Sequence, residues 1–253
     1  MKRKITAAFI FFAFFILNAC ADKVEYAVVV SANMEWKAVR KVFPDETYSK
    51  SVWGEFFFRN IKNHNVLFFH EGWGKVAAAG ATQYVIDRFN PRVLINLGTC
   101  GGFEGKTERF DVFLVKRTVI YDIKEAMGDS REAISDYSTD IDLSWLGSSY
   151  PAKVKPALLV SGDRDLVPED IPFLGKEYGA IAGDWESGAI AYVAGKNNVR
   201  LVILRGVSDV VSVKKGEAYG NFDLFTERAE QVMRNLMDQL PDWIEYIHRC
   251  LRH

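Results

Sequence analysis

The chain is poor in the features that mark several functional classes. Lys+Arg (32) and Asp+Glu (33) almost cancel, leaving a net charge of −1 and no sustained basic stripe, which argues against nucleic acid as a partner. Of three cysteines, Cys100 lies in an apolar, glycine-rich stretch and Cys250 near the end of the chain, so neither a disulfide framework nor a zinc spacing is present. Walker loop, dinucleotide fingerprint, internal repeat and low-complexity linker are all missing. What remains is 253 residues at 49% hydrophobic content, enough for one α/β core and a small-molecule partner.

The first twenty residues form a separate unit. Lys2, Arg3 and Lys4 make a positive head, and Ile5 to Leu17 is an apolar run too short to span a bilayer comfortably. Leu17-Asn18-Ala19-Cys20 then resembles the lipobox of bacterial lipoproteins. Residues 1–20 are therefore expected to be an export signal, with Cys20 the lipidated first residue of a mature chain anchored in the cell envelope. An ordinary signal peptide, an uncleaved anchor and a buried first helix with a cytoplasmic protein are the alternatives.

Beyond the signal, residues 24–253 alternate strand and helix patterns, which predicts a largely parallel sheet covered on both faces. Val24 to Ser31 reads as a strand and Met34 to Val42 as a helix. Val52 to Ile61 and Val66 to His70 suit a hairpin closed by Lys62 to Asn65. The alanine-rich helix Val76 to Phe89 leads to a short strand, Val93 to Leu97, and a glycine turn, Gly98 to Gly102. Strands are expected at Asp111 to Tyr121 and Ala157 to Gly162, with an irregular excursion at Asp122 to Pro156. Ser187 to Lys196 is a predicted helix, and Asn221 to Arg252 contains a long amphipathic helix expected to break at Pro241.

Three apolar runs each end near a lone acid: Ala27 to Ala32 leads to Glu35, Gly179 to Trp185 to Glu186, and Val199 to Ser208 to Asp209. In sheets of this kind ligands gather beyond the carboxyl ends of the strands, so three carboxylates are expected to meet in one crevice. An acid, a base and a stabiliser of positive charge are what hydrolysis of a glycosidic bond requires.

Six segments, in order, resemble the nucleoside phosphorylase and nucleosidase superfamily, with the bacterial 5'-methylthioadenosine/S-adenosylhomocysteine nucleosidases the nearest group. They are Val28 to Val39 (VVVSANMEWKAV), Glu71 to Ala81 (EGWGKVAAAGA), Ile95 to Gly102 (INLGTCGG), Leu159 to Asp163 (LVSGD), Gly183 to Ala191 (GDWESGAIA) and Val202 to Val210 (VILRGVSDV). The resemblance implies a three-layer α/β fold, a nucleoside substrate, a homodimer whose second subunit completes the pocket for the 5' substituent, and no metal or organic cofactor. It assigns Glu35 as the base that activates water, Glu186 as the acid that holds the ribose hydroxyls, and Asp209, beside Ser208, as the acid at purine N7. Thr99, Cys100 and Gly101 match the turn touching ribose and base, Trp185 the position beneath the sugar, Arg205 an arginine near the water, and Phe222 a closure of the 5' pocket.

Departures from the pattern limit the substrate. After Ser161-Gly162-Asp163-Arg164 the family usually places an aromatic ring on adenine, and here Asp165 stands instead, leaving Leu166 to offer backbone to the base edge. Ser31-Ala32-Asn33 and Asn96-Leu97-Gly98 lack the arginines with which related phosphorylases hold phosphate, so water is the expected nucleophile. A nucleoside phosphorylase, a futalosine-type hydrolase, and a nucleoside-binding lipoprotein without turnover remain as alternatives.

Overall fold

The computed structural model describes residues 23–252; the expected export signal and Cys20 lie outside them. In chain order the elements are β1 (Tyr26–Val30), α1 (Asn33–Val42), β2 (Ser49–Lys50), β3 (Glu55–Ile61), β4 (His64–His70), α2 (Lys75–Phe89), β5 (Val93–Phe103) and β6 (Val112–Ile120). There follow α3 (Arg131–Asp136), β7 (Ser138–Asp140), β8 (Lys155–Ser161), α4 (Ile171–Glu177), β9 (Ala182–Asp184), α5 (Ser187–Lys196), β10 (Arg200–Val211) and α6 (Phe222–Cys250).

The parallel run β4-β1-β5-β10 forms the centre of one sheet. The antiparallel hairpin β3-β4 extends it on one side, while β6, β8 and β9 lead from β10 back to β5, so the strands close a circuit. Strand β1 shows why the sheet is central. All five of its residues are buried: Tyr26, Val28 and Val30 pack with α1 and α6, whereas Ala27 and Val29 pack with α2 and α5. An uninterrupted apolar run is what a strand covered on both faces needs. Small residues in α2 and α5 (Ala78, Ala81, Ala189, Ala191, Ala194) bring those helices close to the sheet. The hairpin turn falls on Lys62 and Asn63, both at positive φ.

Three expectations are corrected. Gly98 to Gly102 is not a turn but the second half of the 11-residue strand β5. Its backbone pairs with β10 on one side; on the other, Gly101 and Gly102 pair with β9 and the Thr99 N–H goes to a glutamate side chain. Asp209 likewise lies inside β10, just after a bulge between Val207 and Asp209, and not beyond a strand end. Helix α6 runs unbroken through Pro241 for 29 residues. There the burial of Met237, Leu240, Trp243 and Ile244 outweighs the hydrogen bond that proline cannot donate.

Gly206 marks the tightest contact between β10 and α6. A Cβ built there would lie 2.3 Å from Cγ1 of Val232, a buried residue of α6. Gly206→Ala must push the helix off the sheet, and we expect a loss of about 1–3 kcal/mol, read as a lower midpoint in urea unfolding.

Candidate active site

Glu35 enters the site from the first turn of α1. One carboxyl oxygen, Oε2, reaches back to the Ala32 N–H at 3.3 Å, the glutamate half of a capping box. The other, Oε1, accepts from the Thr99 backbone N–H at 2.6 Å and from Thr99 Oγ1 at 2.8 Å. Helix and strand are thus tied by a single carboxyl group. Burial raises its pKa, against the pull of Arg205 and of the Thr99 hydrogen bonds.

Arg205, on β10, is 1% exposed and donates from Nε to Asp184 Oδ2 at 2.6 Å, forming a buried ion pair. Asp184, at the end of β9, also accepts from Ser161 Oγ at 2.9 Å and from Ser187 Oγ at 2.8 Å. The guanidinium's Nη1 has no hydrogen-bond partner among the described residues. It faces Gly98, where a Cβ would come 2.6 Å from Nη1 and 3.0 Å from Glu35 Oε1. Only glycine lets a cation and an acid close on the strand this way.

Glu186, just before α5, accepts from the Gly74 N–H at 3.0 Å. Its pKa is pushed up to about 8, chiefly by burial and then by the like charges of Glu35 and Asp184, with Gly74 and Arg205 acting the other way. Glu35, Glu186 and Arg205 therefore share one electrostatic neighbourhood.

Asp209 lies on β10 opposite Gly101, the residue after Cys100 on β5. Ser208 Oγ donates to Asp209 Oδ1 at 2.9 Å and lies 3.4 Å from the Cys100 carbonyl. Burial raises the pKa of Asp209, while Ser208 lowers it; the charges that act on it most are Glu217, Arg228 and Asp165. Cys100 links the halves, since Asp184, Arg205, Asp209 and Glu35 all act on its thiol. That thiol is packed among apolar side chains and held far above its usual pKa by burial, so it is no thiolate nucleophile.

The remaining predicted residues fall in different places. Leu166 is buried, its side chain against Gly101 and Gly183, and its carbonyl accepts from Tyr219 Oη. Trp185 pairs with Trp73, ring centroids 5.1 Å apart. Phe222 is 67% exposed and packs on Phe225, so this single chain does not draw it to the acids. A groove lined by Asn33, Trp36, Arg40, Tyr48, Glu55 and His70 lies beside α1 and contains none of the three acids.

Several residues of the site escaped the reading of the sequence. Asp184 had a signal, lying two residues before Glu186. Tyr121 and Tyr219, near Asp165 and Asp209, had none, since they come from distant segments. Glu71 is wholly buried and accepts from Thr82 Oγ1 at 2.6 Å and Ser31 Oγ at 3.2 Å.

The arrangement defines a class: an α/β protein with three buried carboxyl groups and one buried guanidinium around the paired strands β5 and β10, suited to acid–base chemistry on a small polar molecule. The family profile described as Phosphorylase superfamily matches residues 25–240, and the chain belongs to that superfamily. It is similar to the 5'-methylthioadenosine/S-adenosylhomocysteine nucleosidase of Buchnera aphidicola, 27% identical over 228 residues, covering 83% of this chain and 98% of the relative. The enzyme of the same description from Thermotoga maritima is 30% identical over 166 residues, 65% of this chain and 75% of its own. Among solved structures, the Campylobacter jejuni 5'-methylthioadenosine/S-adenosyl homocysteine nucleosidase superposes with a TM-score of 0.68 at 17% identity, over 87% of this chain and 99% of its own. Futalosine hydrolase of Helicobacter pylori gives 0.71 at 20% identity, over 89% and 98%. These likenesses bear out the expected α/β fold with helices on both faces of the sheet.

Glu71 makes the pH dependence of stability predictable. Burial pushes its pKa from 4.5 to about 8 in the folded chain, so the native state keeps a proton that the unfolded chain has released. Its contribution is complete below 4.5 and is lost as pH rises through about 8. We expect Tm to fall over that range, and Glu71→Gln to flatten the profile in thermal melts.

Proposed function

We propose that the chain hydrolyses the N-glycosidic bond of a purine nucleoside, 5'-methylthioadenosine, S-adenosylhomocysteine or a related adenosine derivative, and releases the free base. One observation carries this reading: Glu35 Oε1 and the Nη1 of Arg205, which has no partner among the described residues, face the same glycine, Gly98, while Asp209, with its raised pKa, lies opposite Gly101 on the paired strand. A water held between Glu35 and Arg205 is placed to attack the sugar, with Glu35 taking its proton. Asp209 retains a proton for the departing purine, and Ser208 orients it. Glu186 meets the ribose. In its carboxylate form Glu186 stabilises the positive charge that grows on the sugar.

Water suits this site better than phosphate. A phosphate near Arg205 would stand among Asp184, Glu35 and Glu186, and the one guanidinium is already paired. Tyr121 and Tyr219 stand at the purine end, where Asp165 provides no ring. The test incubates the full chain with 5'-methylthioadenosine, S-adenosylhomocysteine, adenosine, inosine and futalosine, with and without phosphate, and follows free base. Release independent of phosphate is expected; phosphate-dependent release indicates a phosphorylase, and binding without release a transport partner. Asp209→Asn should lower kcat by about 10²–10⁴-fold.

The envelope location and the dimer belong to the same reading. Cys20 as a lipid anchor rests on Lys2 to Cys20, and a lipid-anchored enzyme would act on nucleosides outside the cytoplasm. An apolar surface of Val52, Trp53, Trp73 and Val76, with Trp73 63% exposed and next to Trp185, supports a second copy closing the site. Cys20→Ser should move the protein from the membrane to the soluble fraction, where it should sediment at twice the mass of one chain.

A further inference from the structure

At the end of the sheet opposite the acids, three segments distant in sequence bring nitrogen and carboxylate ligands together. Glu25 precedes β1, His64 opens β4, and His248 lies in the last turn of α6. One ligand atom from each lies within 4.8 Å of the other two. Because β1 and β4 run parallel, Glu25 and His64 sit at the starts of their strands, whereas Glu35 and Glu71 follow the ends of the same strands. This cluster is therefore separate from the catalytic site.

We propose that Glu25, His64 and His248 bind one zinc ion, which clasps the start of β1, the β3-β4 hairpin and the C-terminal helix. The donor set is that of a zinc site: two imidazoles and one carboxylate. Zinc–ligand bonds of about 2.0–2.2 Å place ligand atoms about 3.3 Å apart. Small rotations of the half-buried Glu25 and His248 reach that from the observed spacing.

The surroundings orient the rings. Tyr26, fully buried, has its hydroxyl 3.1 Å from His248 Nδ1 and sets its ring edge-on to His64 at 5.4 Å. A partner on one nitrogen fixes which nitrogen is left for a metal. Glu25 Oε2 lies 2.6 Å from His64 Nδ1, and the two imidazole centroids are 4.2 Å apart. Water completes the tetrahedral shell, since Glu245, 3.9 Å from His64 Nε2, stands at the other nitrogen of the ring from Glu25.

The test is calorimetric titration of the full chain, stripped of metal by chelation, with zinc chloride and with magnesium chloride. Expected are one zinc per chain with a micromolar dissociation constant, no uptake of magnesium, and a Tm rise of about 5–10 °C at a hundredfold excess over that constant. His248→Ala and Glu25→Gln should each weaken zinc at least about tenfold while far-UV circular dichroism and base release stay unchanged. His248→Ala serves even if replacement of the buried His64 prevents folding. No saturable uptake at millimolar zinc, or undiminished uptake by His248→Ala, overturns the proposal and leaves the cluster a purely hydrogen-bonded cap.

Discussion

One guanidinium buried among three carboxyl groups governs the site. Arg205 pairs with Asp184 and acts on Glu35 and Glu186, so a single positive charge must serve three acids in a place where water cannot screen them. Burial is the main cause of the raised pKa of Glu35 and of Glu186; the like charges of Glu35 and Asp184 add to it at Glu186, while Arg205 pulls both down. The fold thus sets protonation in this group through burial first and through Arg205 second.

The scaffold explains how that imbalance is tolerated. Asp184 is surrounded by hydroxyl donors, Glu35 takes two hydrogen bonds from Thr99, and Glu186 takes one from the Gly74 backbone. Thr99 and Ser161 sit on strands paired into the sheet, and Gly74 and Ser187 stand at the starts of α2 and α5, so ordered elements fix all four donors. Asp209 is held differently, by a bulge in β10 and by its neighbour Ser208, in surroundings dominated by other charges. Two acid environments beside one pair of strands allow opposite roles in one reaction.

Much of this was legible in residue order. Apolar runs such as Tyr26 to Val30 and the small-residue helices could only be buried strands and their close covers, and the lone acids near their ends stood out against them. The glycine run Gly98 to Gly102 misled because a local pattern of small residues suits a turn as well as a paired strand. Pro241 misled for a similar reason: proline's local cost is visible in sequence, whereas the packing of Trp243 and Ile244 that outweighs it is not. Tyr121, Tyr219 and the Glu25-His64-His248 cluster gave no signal, because no spacing rule joins residues on unrelated segments.

The sequence by itself determined the alternation of strands and helices, the family, and the chemical identity of the acids, since periodicity and residue type are local properties. Only the tertiary structure decided that Arg205 pairs with Asp184, that Asp209 faces Gly101 across two paired strands, and that Glu71 is sealed in the core. Protonation depends on burial and on charges brought near through space, and neither exists until the chain has folded.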